Sequence, residues 1–361
     1  MSKIRPRITS EEYELIKEFR GIKTVSKETN MPIEEIDFYW DKTKRYSTKI
    51  QNRFYKPRSG SNAIKEIDFE SIFKDKVTPI KVLKQPERVG LFDRVVYTDV
   101  HLAMNPNPDG YSLYGGKWDE DEVDLRLAKM VNHTLSKQDS NILYLDELGD
   151  FMDGWNGQTT RGGHDLPQNM DNQKAFDVGF RFKIRLIDAL MKNYDKIVCH
   201  NVCNDNHAGA FGYVVNSAFK TYIELKYADN VEVINQRKFI DHYTVGKYTF
   251  ILTHGKDAKD LKFGFKPHLD DKQSNKIKGY IDEHFLYTKD SIIEFSKGDS
   301  HQYLFDNSSS DSFNYYNYPA LSPSSSWVQT NFKKGLSGFV QFSYYEDDTR
   351  AINECLFKWK K

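Results

Sequence analysis

Arg94-Val95-Val96-Tyr97-Thr98-Asp99-Val100-His101 is an apolar run that closes on an Asp-x-His triplet. A short apolar, β-favouring run reads as a strand, here over residues 94–100. Residues two apart in a strand point the same way, so Asp99 and His101 at its end can grip one metal ion. Outward from this stretch, apolar runs alternate with amphipathic ones. The pattern predicts a helix over 119–137, a strand over 141–148 and a helix over 172–192. A strand over 196–202 and a helix over 210–227 follow. The second half is richer in strands: 243–254 with Gly246-Lys247 as a hairpin turn, then 291–296, 312–318, 338–345 and 352–359. Strand–helix alternation followed mostly by strands predicts an α/β layered domain built on packed sheets.

Further chemistry-bearing blocks stand where those strands end. They are Gly149-Asp150-Phe151-Met152-Asp153-Gly154, Asp205-Asn206-His207, Thr253-His254-Gly255 and Gly298-Asp299-Ser300-His301. Any one alone says little, because a lone His at a strand end is usually a hydrogen-bonded structural residue. Five in order, about 50 residues apart, are a different matter. The set resembles the calcineurin-like metallophosphoesterase superfamily over roughly residues 91–305, whose blocks run Asp-x-His, Gly-Asp-x-x-Asp, Gly-Asn-His-Asp/Glu, His and Gly-His-x-His.

The resemblance implies a layered α-β-β-α sandwich over 91–361 and two divalent metal ions. Asp99, His101 and His301 would hold one ion, Asp150 would bridge, and Asn206 and His254 would hold the second. His207 would act as general acid or charge stabiliser, with Asp153 orienting it. A metal-bridging hydroxide would then attack phosphorus in line, without a nucleophilic side chain, so Cys199 and the loop serines are not candidates. The chain departs from the pattern at Asp205 and Ala208 in the third block and at Asp299 in the fifth. Asp299 can still bind a metal, and its anionic oxygen favours Mn²⁺ or Fe²⁺ over Zn²⁺.

The loop after Gly154 carries Arg161 and His164, which can reach a substrate phosphate; the bland alternative is an ordinary surface loop. His133, His200, His242, His268 and His284 match no block and read as structural or solvent-exposed. Tyr315, Tyr316, Tyr318, Trp327, Phe339 and Tyr344 are expected to pack the second sheet.

The N-terminal part lies outside the resemblance. Residues 1–46 read as three short helices with a tight turn before the last, a small all-α segment like a helix-turn-helix. Residues 47–90 read as a basic and polar linker. Residues 42–58 hold Lys42, Lys44, Arg45, Lys49 and Arg53 among their cations, no acid, and interleaved Tyr46, Phe54 and Tyr55. Cations for phosphates with aromatic faces for bases suit nucleic acid, and a solvated linker is the competing reading. Overall charge is balanced, 52 basic against 52 acidic residues, so net charge gives no general pull toward nucleic acid or membrane. Three cysteines make a poor disulfide framework and fit a reducing cytoplasm, which would be the host's if the chain is virus-encoded, as its composition suggests. No stretch approaches the ~20 apolar residues of a membrane span.

Three functions remain open on the sequence. The first is a nuclease or DNA phosphodiesterase similar to the double-strand-break repair exonucleases, favoured by the N-terminal segment. The second is a phosphatase or phosphodiesterase for nucleotides or other small phosphate esters. Gly154 stands where the superfamily's protein phosphatases carry Arg, which counts against a protein substrate. The third is a DNA-binding or virion protein with a degraded site. Neither composition nor motif fixes the oligomeric state.

Overall fold

The computed structural model describes residues 90–112, 116–256, 266–332 and 336–357. The expected helix-turn-helix, the linker up to residue 89 and the basic strip lie outside the described residues.

Strands β1 (Phe92–Tyr97), β2 (Ile142–Glu147), β3 (Lys196–Val202) and β4 (Val231–Gln236) alternate with helices α1 (Glu120–Ser136), α2 (Asn172–Leu190) and α3 (Ala210–Lys226). The four strands pair in parallel, each with the next. After them come β5 (Ile240–Val245), β6 (Tyr248–Thr253), α4 (Asp271–Glu283), β7 (Ile292–Lys297), β8 (Leu304–Asp306), β9 (Asn314–Asn317), α5 (Ser326–Asn331), β10 (Ser337–Tyr344) and β11 (Arg350–Phe357). The first sheet runs β11-β10-β1-β2-β3-β4 and the second β5-β6-β7-β9-β8. In the first, β10 joins β1 antiparallel, so the C-terminal hairpin closes the edge that the parallel crossovers leave open.

Local chemistry sets the helix ends. Asp119 accepts from the backbone N–H of Glu122 to start α1, and Asp171 accepts from that of Lys174 to start α2. Every residue of β1 is buried, as both faces of a covered parallel sheet require.

Three apolar cores give the layer order. Leu127, Phe182 and Val215 pack α1–α3 on one face of the first sheet. Val96, Phe250, Tyr316 and Phe342 fill the space between the sheets. Ile251, Ile277, Ile281 and Phe295 pack α4 on the far face of the second. The result is an α-β-β-α sandwich. The inter-sheet core is not wholly apolar: buried Arg94 bonds Asp146 at 2.7 Å and Ser296 at 2.9 Å, with its guanidinium 4.3 Å from the centre of the Phe250 ring. Among the described residues, no helix is long and apolar enough to cross a membrane.

Several expectations need correction. The strand over 94–100 stops at Tyr97, so Asp99 and His101 lie in the loop beyond it. Of the tail aromatics, Tyr316, Tyr318 and Tyr344 do lie between the sheets and Tyr315 packs toward α4. Phe339, however, faces the α1–α3 layer, because alternate residues of β10 point to opposite sides. Trp327 packs neither sheet and is 49% exposed on α5. Strands β4 and β8 and helices α4 and α5 were not expected.

Candidate metal centre

The site is built where the parallel strands end, and backbone geometry builds it. Past β1 and β2 the two loops continue side by side. Asp99 N donates to Gly149 O at 3.1 Å, His101 N to Asp150 O at 2.9 Å, Leu102 N to Phe151 O at 3.0 Å and Asp153 N to Leu102 O at 2.9 Å. Asp99, His101, Asp150, Asp299 and His301 all have positive φ, between 46° and 67°. Such a left-handed residue costs roughly 1–2 kcal/mol, and such conformations cluster at functional sites. These turns, not strand alternation, bring Asp99 and His101 to one point. Two glycines allow the close approach. A side chain at Gly149 (φ 97°) would press within 3.0 Å of the His254 ring, and one at Gly298 would meet Thr98 Oγ1 at 2.2 Å.

The donors converge from five loops. His101 Nε2 and His301 Nε2 are 3.1 Å apart, and Asp99 Oδ1 lies 3.6 Å from the first and 3.3 Å from the second. Ligands about 2.1 Å from a shared cation stand about 3.0–3.5 Å from each other, so this triad fits one ion. Asp150 Oδ2 lies 3.1 Å from His254 Nε2, 3.7 Å from His207 Nε2 and 3.8 Å from His101 Nε2. Asp299 Oδ1 is 3.6 Å from His254 Nε2. Asp99 Oδ1, Asn206 Oδ1, His254 Nε2 and Asp299 Oδ2 are buried yet make no hydrogen bond. Buried polar atoms are normally satisfied, so a cluster of unsatisfied ones in this donor chemistry fits divalent cations. Asp99, His101 and His301 form one donor group, and Asp99, Asp150 and His254 another.

Asp153 does more than the sequence indicated. Its Oδ1 stands 2.9 Å from His101 Nδ1 and 3.3 Å from His207 Nδ1, so one carboxylate faces both rings. His207 is the more accessible, with its side chain 20% exposed. Arg161 and His164 line the same cleft as these donors, as does Lys256. The Arg161 loop is laced to the third block: Thr160 N donates to His207 O at 2.8 Å and Arg161 N to Asn206 O at 3.2 Å.

The charges are coupled. Burial opposes ionisation of Asp99 and Asp150, but the surrounding imidazoles win and hold both carboxyls below the usual range. Burial likewise opposes charge on His101, yet Asp153 and Asp99 push it up to about 10. His207 and His254 are also raised against burial, Asp150 being the main cause for each. Asp205, in the position of the pattern's glycine, is pushed up to about 7 by burial and then by Asp150. Its Oδ1 accepts from Ala208 N at 2.8 Å and Gly209 N at 3.1 Å, pinning the turn after His207.

Sequence reasoning missed the residues that brace the loops. Buried Trp118 donates from Nε1 to Val100 O at 2.9 Å. Glu147 Oε1 accepts from Gly149 N at 2.6 Å, while its Oε2 is 3.2 Å from Lys183 Nζ. Nothing in a single Trp, Glu or Lys marks such a role; a Lys on the apolar face of a predicted helix is the one available signal.

No protein-family model and no curated protein matches the chain. Among solved structures, Vps29 from Entamoeba histolytica complexed with zinc is similar at a TM-score of 0.31 and 9% identity, over 74% of this chain and 99% of that one. YfcE, a phosphoesterase from E. coli, gives 0.30 and 10%, over 72% and 98%. A predicted phosphoesterase from Streptococcus pneumoniae gives 0.27 and 12%, over 73% and 97%. Likenesses this loose carry no argument about activity, and the functional reading rests on the site.

Proposed function

We propose that the chain is a two-metal phosphoesterase, acting as a phosphodiesterase or nuclease on DNA. The observation that carries this is the cluster of buried, unpartnered donor atoms of Asp99, Asn206, His254 and Asp299 around Asp150, of which Asn206 and Asp299 line a cleft with Asp150. Asp99, His101 and His301 would hold one cation, Asn206, His254 and Asp299 the other, with Asp150 between them. Bound there, two divalent ions supply positive charge that polarises a phosphoryl group and makes water more acidic. Asp299 adds an oxygen donor, which favours Mn²⁺ or Fe²⁺ over Zn²⁺.

The chain's own groups do the rest. His207, partly exposed and paired with Asp153 at 3.3 Å, holds a proton at Nε2 for the leaving oxygen. In the metal-free protein Asp150 and then Asp153 favour the protonated ring against burial. Arg161 presents its guanidinium to a non-reacting phosphate oxygen, with Nη2 anchored on Asn204 Oδ1 at 2.6 Å, and His164 stands beside it in the cleft lining. Lys42, Lys44, Arg45, Lys49 and Arg53 would add electrostatic affinity for DNA.

A second reading, hydrolysis of nucleotides or other small phosphate esters, is favoured by the size of the cleft, about 340 Å³. That is near the lower end of small-molecule sites. The deciding assay follows turnover of bis-p-nitrophenyl phosphate, single-stranded DNA and duplex DNA, with Mn²⁺ titrated in and His207→Ala alongside. Metal-dependent cleavage of DNA that is lost in the variant supports the nuclease. Turnover of the small ester alone supports the second reading. No turnover with any divalent ion would leave a DNA-binding or virion protein with a degraded site.

A further inference from the structure

The cleft that holds the donors is also lined by Met104, Pro108, Leu166, Trp327 and Val328. Trp327 sits on a firmly held helix. Val328 beside it is buried, Ser325 Oγ accepts from Val328 N at 3.3 Å, and Gln329 Nε2 donates to Ser112 Oγ at 2.6 Å. The indole packs edge to face against Phe332, ring centres 5.6 Å apart, which sets its tilt. A large aromatic ring left 49% exposed on an anchored helix, in the wall of a donor-lined cleft, is a placement that core packing does not require. An inorganic phosphate has nothing to offer such a wall, whereas a planar ring joined to a phosphate engages both wall and donors.

We propose that this wall is a nucleobase subsite: Trp327, with Met104 and Pro108, takes the base of a single nucleotide unit whose phosphate lies among the metal donors and Arg161. The placement of the phosphate rests on the phosphoesterase reading above. A cleft of about 340 Å³ suits one such unit, and a base stacked on its wall must be unpaired, from a single strand, a chain end or a free nucleotide. Stacking is tolerant of base identity, because every base offers a π face.

The test uses the full chain with Mn²⁺ and two diesters that share a leaving group, thymidine 5′-(p-nitrophenyl phosphate) and methyl p-nitrophenyl phosphate. The wild type should favour the thymidine ester. Trp327→Ala should lower the ratio of the two kcat/KM values by roughly 5- to 150-fold, the range for loss of one base stack, mainly through KM. Trp327→Phe should restore most of it. A ratio unchanged in Trp327→Ala overturns the subsite, even if both esters slow together. Should the wild type hydrolyse neither ester, the phosphoesterase reading fails by itself, and calorimetric titration with thymidine 5′-monophosphate decides the subsite. Binding that weakens in Trp327→Ala and returns in Trp327→Phe sustains it, and absent or equal binding overturns it.

Discussion

His101 and His301 present their Nε2 atoms to each other at 3.1 Å across 200 residues of sequence. Two imidazole nitrogens so close repel if both carry a proton or both a lone pair, and Asp99 Oδ1 faces both. In the metal-free protein one proton between them makes a hydrogen bond, and a cation shared by the three takes the place of that proton. Metal should therefore stabilise the fold strongly: calorimetry of the chelator-stripped protein should show a Tm that rises with added Mn²⁺. The gain is about 2.7 kcal/mol at a hundredfold excess over Kd. His301→Ala should lose most of this rise, and a Tm indifferent to Mn²⁺, Fe²⁺ and Zn²⁺ alike would falsify the metal centre.

The shared position of Asp153 distinguishes it from a partner of His207 alone. Asp153→Asn should weaken metal affinity and slow turnover together, each by about 10- to 100-fold, because the carboxylate orients His101 as well. His207→Ala should slow turnover with a smaller change in metal affinity. Titration of Mn²⁺ by calorimetry beside steady-state kinetics separates the two patterns.

The pKa of His101, raised to about 10 in the metal-free protein, has two consequences with opposite signs. The folded form holds this proton more tightly than the unfolded form does. That contribution to metal-free stability is complete below the ordinary imidazole value of about 6.5 and is lost as pH rises toward 10. Metal binding needs the neutral ring, so each ion bound displaces protons and affinity should climb with pH across 7–9. Titration in buffers of different ionisation enthalpy measures the protons released; none released would contradict the ligand role of His101.

Beneath the second block, Lys183 is buried between Glu147 Oε2 at 3.2 Å and Asn201 Oδ1 at 2.8 Å. Lys183→Met strands the Glu147 charge and should cost about 3–5 kcal/mol in urea unfolding. Removing both charges in Lys183→Met/Glu147→Gln should recover part of that loss. Metal affinity should change little in the double variant, because Glu147→Gln keeps an oxygen that can accept from Gly149 N.

The strand–helix alternation was legible because α1–α3 bury long apolar faces and β1–β3 each carry a short apolar stretch, over residues 95–97, 142–145 and 197–199. Helix α4 was not, since only Ile277 and Ile281 of its residues are buried and the rest is as polar as a loop. Strand β4 alternates Val231 and Val233 with exposed Glu232, but Asn235 and Gln236 blur the period. At the centre, the ordered Asp, Asn and His blocks could be read because metal chemistry restricts donor types. The left-handed backbone of Asp99, His101 and Asp150 could not, because positive φ in a non-glycine residue is imposed by tertiary contacts. For the same reason Trp327 read as core: composition cannot tell a ring that fills a sheet interface from one held at a cleft wall.

The backbone ladder that runs on past β1 and β2 gives the donor loops the hydrogen bonding of strands without their dihedrals. In amide-exchange terms, the Asp99, His101 and Asp153 amides should exchange with the slow core of the parallel sheet. Substrate and product should then exchange through the cleft, on the side lined by Arg161, Lys256 and Trp327.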